Sequence, residues 1–335
     1  MEILFPRPLQ PGSKIGIVAP SSPVPAALAP RLELVKTTLR AHGWTPLESD
    51  CLRAERTAPW ETRVRAWMEA LLFDEIDAVM PPWGGDLAIE VVARMDFGRL
   101  REARPKWILG YSDISTLLVP MLLELGWASA HGPNLMDLVP TQRDPISLGC
   151  LPALSTDEPF TQSSSSHHQT AFVDWKNHPD APFQLDQPSR VHTLDGRALR
   201  VQGRLIGGCL DTISSLAGSR FGDVPRFVHE HGDEGVILFL ENCELSPGQA
   251  ARALAQLRLA GWLDGVRALV LGRSQAPDAR GEGYVRSMRS MFEDLPVPVV
   301  LDADIGHVPP QWTMIEGALA TLEVDEGRAT ITQTR

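Results

Sequence analysis

Strand and helix signals alternate along the first 150 residues of the chain. Four apolar runs end in turns rich in Gly, Ser or Pro, and these runs with their turns lie at 14–23, 76–86, 106–113 and 127–134. Amphipathic stretches separate them, as in residues 25–43, where four apolar residues at helical spacing precede Gly43. Strand and helix units this short predict a parallel sheet with helices on both faces.

The alternation stops near residue 150, and order returns with the segment that begins at residue 190. Residues 155–200 are polar and rich in Ser, Pro and Asp, which is typical of a long functional loop or linker. Beyond them, Ser246 and Pro247 begin a predicted helix that Gly261 ends. We therefore expect three parts: an N-terminal domain at 1–150, a linker and substrate loop at 151–200, and a C-terminal α/β domain at 201–335.

A hairpin, two strands and one further helix are also predicted in this part of the chain. The alternating residues 190–208 predict a β-hairpin turning at Asp195-Gly196. Apolar strands are expected at 267–273 and 296–307, with a helix between them.

The charge balance of the chain argues against polyanionic partners. The formal net charge is −11, with 43% hydrophobic and 22% charged residues, whereas nucleic acids and anionic membranes are bound by clustered Lys and Arg. The first residues show no basic segment before a long apolar core, and no run approaches the length of a membrane span. We therefore expect no signal peptide, no nucleic acid and no membrane partner.

The cysteines are few and scattered, at Cys51, Cys150, Cys209 and Cys243. None belongs to a C-x-x-C pair, which is typical of reduced, mostly buried thiols in a cytosolic protein. We therefore expect a cytoplasmic location.

Three chemically useful side chains follow or end predicted strands. Ser112 lies at a strand-to-helix turn, Glu241 ends the run VILFL, and His307 follows VVLDADIG. Ligands bind at the carboxyl ends of strands in such sheets, and a serine, a base and an orienting carboxylate form a catalytic triad when they converge. The alternatives are a helix cap or phosphate ligand for Ser112, a loop-bonding role for Glu241 and an exposed or structural His307.

Backbone N–H groups near Ser112 are candidates for stabilising a developing negative charge. Gly84 and Gly85 form a glycine turn that lacks the spacing of a phosphate-binding loop. Asp113 follows Ser112 at a predicted helix N-terminus, so we expect its N–H and that of Gly84 or Gly85 to form an oxyanion hole. The H-x-H at 229–231 has no further ligand at a recognisable spacing, so it does not predict a metal site. The sequence contains no dinucleotide-binding fingerprint, so no cofactor is expected.

The ordered set of motifs resembles the LD-carboxypeptidase family of serine peptidases. The matching stretches span nearly the whole chain and keep the family's order: GSKIGIVAPSSP, WGGD, GYSDIST, HGPN, GRLIGGCLDTISSLAGS, ILFLEN, QLRLAGWLDGVRALVLG and DIGH. The family writes its nucleophile turn as G-[YF]-S-D, which accounts for the absence of a G-x-S-x-G motif around Ser112.

The resemblance implies both a triad and an architecture. The triad maps onto Ser112, Glu241 and His307. The implied fold is a doubly wound, Rossmann-like parallel-sheet N-terminal domain that carries the serine, followed by a C-terminal α/β domain with a small barrel-like sheet that carries the other two. The resemblance also implies a site between the domains, no cofactor and a homodimer.

The resemblance leaves the substrate open. Trp175 lies in a segment that resembles the loop with which microcin C immunity (MccF-like) peptidases place an aromatic ring against a nucleobase; alternatively, Trp175 only anchors this loop. Cys209, where many relatives have Asn, and Asp211 are further expected substrate-binding residues. We favour hydrolysis of an amide between an aminoacyl or peptidyl group and a nucleotide-like group. The alternatives are a muropeptide LD-carboxypeptidase that releases D-Ala and a non-catalytic ligand-binding module.

Overall fold

The computed structural model describes residues 1–274 and 290–335 of the chain. The first half contains the strands β1 (Lys14–Ile17), β2 (Thr45–Glu48), β3 (Ala78–Val79), β4 (Trp107–Gly110) and β5 (Ala130–His131). Its helices are α1 (Ala29–Ala41), α2 (Trp60–Leu72), α3 (Ala88–Val92), α4 (Phe97–Leu100), α5 (Ser115–Leu125) and α6 (Cys150–Ala153).

The second half contains eleven further strands among the described residues. They are β6 (Phe160–Ser163), β7 (His167–His168), β8 (Gln187–Pro188), β9 (His192–Thr193), β10 (Leu199–Cys209), β11 (Val236–Glu241), β12 (Ala268–Gly272), β13 (Val299–Ala303), β14 (Met314–Ile315), β15 (Leu319–Asp325) and β16 (Arg328–Thr334). The helices are α7 (Leu210–Ile213), α8 (Val224–Glu230) and α9 (Pro247–Leu259). The helix expected between the strands at 267–273 and 296–307 falls largely on 275–289, outside the described residues.

The first sheet has the order β14-β5-β4-β3-β1-β2. Strands β1 to β5 are mutually parallel, as the alternation of strands and helices predicts. The central strands β3 and β4 are buried throughout, so they consist of uninterrupted apolar runs. The edge strand β14 comes from the far end of the chain and pairs antiparallel with β5.

The second sheet has the order β6-β16-β15-β10-β11-β12-β13-β9. Its four central strands, β10 to β13, are parallel, and antiparallel strands flank them. The flanking strands β6 and β9 belong to the segment between 151 and 200, so this segment contributes both edges of the sheet.

The hairpin predicted around Asp195-Gly196 was wrong. A turn does form there, with Gly196 at φ +74° and its N–H bonded to the Thr193 carbonyl at 3.1 Å. Strand β9 nevertheless pairs with β13, while β10 pairs with β15 over Leu199–Arg204 and with β11 over Arg204–Cys209. Alternation in the sequence indicates strands, but it does not identify their partners.

The two sheets meet where α5 packs against β10. Gly208 has φ +142°, and a Cβ there would lie 2.6 Å from Ser115 Cβ, so only glycine allows this approach. The Cys209 N–H donates a hydrogen bond of 3.1 Å to Ser115 Oγ. This contact places the start of α5 beside the carboxyl ends of β10 and β11. Within 1–274 and 290–335, no helix has the length and apolar character needed to cross a membrane.

Candidate active site

Ser112 occupies a sharp turn between β4 and α5. Its φ of +63° lies in the left-handed region, which is strained for a residue with a side chain. The turn is held from the side by Asn134, whose Oδ1 accepts a 3.2 Å hydrogen bond from the Tyr111 N–H. A Cβ at Gly110 would lie 2.9 Å from the same oxygen. A strained serine between a strand and a helix is the geometry of a nucleophile elbow.

Glu241 is the last residue of β11 and is only 2% exposed. Two glycines leave room for its side chain. A Cβ at Gly306, whose φ is +88°, would lie 2.5 Å from Glu241 Cβ, and one at Gly272 would lie 3.0 Å from it. The glycine of the DIGH motif is therefore required by the carboxylate that stands beside it.

His307 joins the other two residues through its ring nitrogens. Nδ1 lies 2.8 Å from Glu241 Oε2, and Nε2 lies 3.0 Å from Ser112 Oγ. The Tyr111 ring packs edge-on against the imidazole, with centroids 4.8 Å apart. The structure thus brings together three residues that the sequence separates by up to 195 positions.

The electrostatics of the Glu241–His307 pair favour opposite charges on the two groups. Burial by itself lowers the pKa of an imidazole and raises that of a carboxyl. Here the Glu241 carboxylate and a hydrogen bond with Cys243 outweigh burial and raise the pKa of His307 well above 6.5. The charge of His307 in turn lowers the pKa of the buried Glu241. Glu241 is therefore an ionised carboxylate that stabilises the imidazolium form of His307.

Two of the expected oxyanion donors, Gly84 and Asp113, lie beside Ser112. A Cβ at Gly84 would lie 2.7 Å from Asp113 N and 2.8 Å from Ser112 Oγ, so the Gly84 backbone approaches both atoms closely. The Asp113 carboxylate points elsewhere: it accepts hydrogen bonds from Ser21 Oγ at 2.7 Å and from the Ala88 N–H at 2.9 Å. The backbone N–H of Asp113 lies in the first turn of a helix, where backbone donors have no intrahelical acceptor.

A cavity of about 480 Å³ opens beside Ser112 and His307. Trp175, which is half-buried, lines this cavity, and its ring stacks on the Arg31 guanidinium at 3.8 Å from the centroid. Gly84 and Gly85 also belong to its wall. The full lining consists of Ser22, Pro23, Pro82, Trp83, Gly84, Gly85, Tyr111, Ser112, Asn134, Asp137, Phe172, Val173, Trp175 and His307.

Cys209 and Asp211 lie beneath the triad, and neither is among the residues that line this cavity. The Cys209 thiol donates to Asp211 Oδ2 at 3.5 Å, and that oxygen also accepts the Cys243 N–H at 3.0 Å. Asp211 Oδ1 accepts the Glu244 N–H at 3.0 Å, so Asp211 fixes the loop that follows Glu241. A direct substrate contact by either residue stays a prediction.

Two family models match the chain in sequence order. The N-terminal domain of LD-carboxypeptidases matches residues 15–132, and the C-terminal domain matches residues 202–322. The chain belongs to the LD-carboxypeptidase family.

Individual relatives of this LD-carboxypeptidase family member cover almost its whole length. The microcin C7 self-immunity protein MccF of Escherichia coli is 24% identical and covers 98% of this chain and 96% of its own. The structure of MccF in complex with glutamyl sulfamoyl guanosine superposes with a TM-score of 0.83 at 21% identity, covering 99% and 98% of the two chains.

Two other solved structures share the fold. An MccF-like protein from Bacillus anthracis has a TM-score of 0.84 at 20% identity, with 99% of both chains covered. A muramoyltetrapeptide carboxypeptidase from Oxalobacter formigenes has a TM-score of 0.73 at 23% identity, covering 96% of this chain and 99% of its own. The α/β fold of this LD-carboxypeptidase family member, with its parallel-sheet N-terminal region and second sheet, is thus shared over nearly its whole length.

Sequence reasoning missed several residues that shape the site of this LD-carboxypeptidase family member. Arg273 forms a buried ion pair with Asp304 and donates hydrogen bonds of 3.0 and 2.9 Å to the carbonyls of Val308 and Pro310. It thereby fixes the loop that carries His307. Its only signal in the sequence was its position directly after the apolar run ALVLG.

Two residues near HGPN also take unexpected positions. Asp137 lines the cavity, and burial raises its pKa to about 6 although Arg31 acts to lower it. His131, the first residue of HGPN, is fully buried and packs against the rings of Tyr111 and Phe239. The motif therefore contributes Asn134 to the cavity wall, and Asp137 is added from the turn that follows the motif.

Replacing Glu241 by Gln removes the charge that raises the pKa of His307. Burial then acts with less opposition, so we expect the pKa of His307 to fall in Glu241→Gln. NMR titration of ¹⁵N-labelled histidine measures it directly. The exposed Glu244 lies three residues further on, and Glu244→Gln is the matched control with an unchanged titration. An unchanged His307 pKa in Glu241→Gln would contradict the ion pair.

Gly306→Ala tests the space that Glu241 requires. We expect a left-handed backbone to cost an alanine about 1–2 kcal/mol, and the clash with Glu241 to add about 1–3 kcal/mol of overpacking. Gly218→Ala is the control, since Gly218 has φ +85° but open space around its Cβ position. Chemical denaturation of both variants measures the difference in unfolding free energy. Equal losses would show that Glu241 is not confined by Gly306.

Proposed function

We propose that the chain is a serine peptidase of the MccF-like branch, which hydrolyses the amide bond between an aminoacyl or peptidyl group and a nucleotide-like group. The observation that carries the proposal is the hydrogen-bonded series Ser112–His307–Glu241 beside a cavity lined by Trp175. Family membership supports peptidase activity, and the geometry supports the serine as its nucleophile.

In the acylation step, Ser112 Oγ attacks the carbonyl carbon and His307 Nε2 accepts the Oγ proton. The resulting imidazolium is stabilised by the ionised Glu241, which keeps the remaining Nδ1 proton between them. The tetrahedral intermediate places its negative oxygen toward the N–H groups of Gly84 or Gly85 and Asp113. When the C–N bond breaks, His307 returns the proton to the leaving nitrogen, and the acyl group stays on Ser112.

In the deacylation step, water takes the place of the amine. His307 Nε2 accepts a proton from the water as its oxygen attacks the acyl carbon. The bond from Ser112 Oγ to this carbon then breaks, and the proton moves to Oγ. The products are a carboxylic acid and the regenerated serine, so no cofactor is required by this reaction.

The cavity supports a ligand with an aromatic part. Its volume of about 480 Å³ lies in the range of small-molecule sites. Arg31 holds the Trp175 ring by stacking on it, and Arg31 is fixed by hydrogen bonds to the carbonyls of Met136, Pro179 and Ala181. MccF binds glutamyl sulfamoyl guanosine in one structure and aspartyl sulfamoyl adenosine in another. A positioned indole on the cavity wall suits stacking against such a base.

The alternative substrate is a muropeptide, from which the same triad would release a terminal D-Ala. The muramoyltetrapeptide carboxypeptidase among the structural relatives motivates this alternative. The position of Trp175 in the cavity wall favours the nucleotide-like substrate. Two features implied by the family resemblance, a homodimer and a cytoplasmic location, belong to the proposal as predictions.

Ser112→Ala separates catalysis from mere binding. We expect turnover to fall by roughly four orders of magnitude or more, because the nucleophile is lost, while thermal stability stays close to wild type. The assay presents an aminoacyl nucleotide joined by a phosphoramidate and a murein tetrapeptide, each followed by mass spectrometry. The exposed Ser215 provides the control variant Ser215→Ala, with unchanged turnover.

The two substrates give distinct outcomes. Cleavage of the aminoacyl nucleotide supports the proposal, whereas cleavage of the tetrapeptide alone refutes the MccF-like substrate and leaves the triad intact. Retention of turnover in Ser112→Ala would refute the triad itself. Binding of either ligand without turnover, together with no labelling of Ser112 by a fluorophosphonate, would indicate a non-catalytic binding module.

Trp175→Ala tests the stacking surface. We expect KM for the aminoacyl nucleotide to rise roughly 5- to 150-fold, equivalent to about 1–3 kcal/mol of lost stacking, with partial rescue in Trp175→Phe. Trp60 also stacks with an arginine, Arg94, but outside the cavity, so Trp60→Ala is the matched control. If Trp175 only anchors the loop, Trp175→Ala impairs nucleotide and non-nucleotide aminoacyl amides equally.

A further inference from the structure

A second donor set shares two residues with the triad. Ligand atoms of Cys209, Glu241 and His307 all lie within 4.8 Å of one another. Cys209 is 1% exposed and Glu241 is 2% exposed. Glu241 Oε2 bonds to His307, while the buried Oε1 has no hydrogen-bond partner among the described residues. The proposed hydrolysis uses the imidazole and the carboxylate but gives the thiol no role.

Strand pairing explains how these donors meet. Cys209 and Glu241 are direct partners at the carboxyl ends of the parallel strands β10 and β11. Side chains at paired positions of adjacent strands lie on the same face of a sheet, so thiol and carboxylate are neighbours. His307 then approaches from the loop after β13. The sequence shows no metal-ligand spacing for these three residues, because they come from three separate segments.

Sulfur, imidazole nitrogen and carboxylate oxygen form a donor set suited to Zn²⁺ and its thiophilic analogue Cd²⁺. Tetrahedral Zn²⁺ has bonds of about 2.3 Å to sulfur and about 2.0 Å to nitrogen or oxygen, so its ligands lie about 3.5 Å apart. Donors within 4.8 Å of one another reach that spacing through small side-chain movements. Three protein ligands leave the fourth position for water.

We propose that Cys209, Glu241 and His307 form a binding site for a thiophilic divalent cation such as Zn²⁺, and that the bound ion inactivates the triad. The ion is held by Cys209 Sγ, a Glu241 oxygen and His307 Nδ1. It therefore replaces the Nδ1–H···Oε2 hydrogen bond that orients the imidazole.

The proton inventory explains the loss of activity. The Cys209 thiol releases its proton to solvent when sulfur binds the ion. The imidazole is metallated at Nδ1, so its single proton moves from Nδ1 to Nε2. A protonated Nε2 has no lone pair to accept the Ser112 proton, and attack by Oγ stops. Because the thiol must lose a proton, binding tightens as pH rises.

A second cysteine lies beside the proposed site. Cys243, which is half-buried and hydrogen-bonds with the His307 side chain, borders the site from the loop after β11. Its proximity makes Cys243→Ser a necessary comparison.

Cd²⁺ titration of the full-length protein measures binding without reference to catalysis. The ultraviolet Cd²⁺–thiolate charge-transfer band reports thiolate ligation directly. We expect one band-forming equivalent in wild type, and binding roughly 100-fold weaker or more in Cys209→Ser, since a ligand is lost. The control is Cys51→Ser, because Cys51 is also buried but contacts Ser49 and the Ala19 carbonyl instead.

The binding experiment has two contradicting outcomes. The site assignment is overturned if Cys209→Ser retains the band. It is also overturned if the band disappears only in Cys243→Ser, because the thiol ligand would then be a different residue. Loss in Cys209→Ser with retention in Cys51→Ser supports the assignment.

The predicted inhibition by Zn²⁺ rests on the proposed hydrolase function. Zn²⁺ should lower wild-type hydrolysis at least tenfold, with recovery on adding a chelator, while Cys209→Ser keeps its own metal-free rate. A wild-type rate that Zn²⁺ leaves unchanged or raises would overturn the inhibition. If no variant hydrolyses either substrate and the Cd²⁺ band persists, the proposed function fails and the metal site stands.

Discussion

The site depends on the close approach of α5 to the end of β10. Ser112 follows β4 of the first sheet, and Glu241 ends β11 of the second sheet. The distance between them is therefore set by how the two sheets pack. Gly208 removes the Cβ that would collide with Ser115, and the Cys209 N–H to Ser115 Oγ bond fixes the distance that results. A protein interior is close-packed, so a larger residue at 208 would displace the serine turn from the histidine.

Electrostatics imposes the second constraint. A buried carboxylate needs a partner that compensates for its lost hydration, and Glu241 has this partner in His307. The pair is stable only if the loop holding His307 keeps its position. The buried Arg273–Asp304 ion pair and the hydrogen bonds from Arg273 to the following carbonyls hold that loop. The geometry of the proposed triad is therefore supported by a second buried charge pair outside the cavity.

Much of this arrangement was predictable from local sequence. Parallel strands β1, β3, β4 and β5, the helix limits at Ser246 and Gly261, and three polar residues at strand ends all follow from periodicity and turn chemistry. The pairing of β9 with β13, the addition of β14 to the first sheet and the role of Arg273 did not. The two strand pairings depend on which edges of the sheets remain open after the central strands have paired. Arg273 acts on a loop that is distant from it in the sequence. No local sequence pattern contains either kind of information.

The sequence by itself determined which residue types stand at the strand ends: a serine at a strand-to-helix turn, a carboxylate after an apolar run and a histidine after a glycine. Family motifs then determined the fold to expect. Only the tertiary structure decided that Ser112, His307 and Glu241 lie within hydrogen-bonding distance, and that Cys209 shares their space. The physical reason is the sequence distance over which these interactions act. Turn chemistry and periodicity involve residues a few positions apart. Sheet register and helix packing assemble the site from segments up to 195 residues apart.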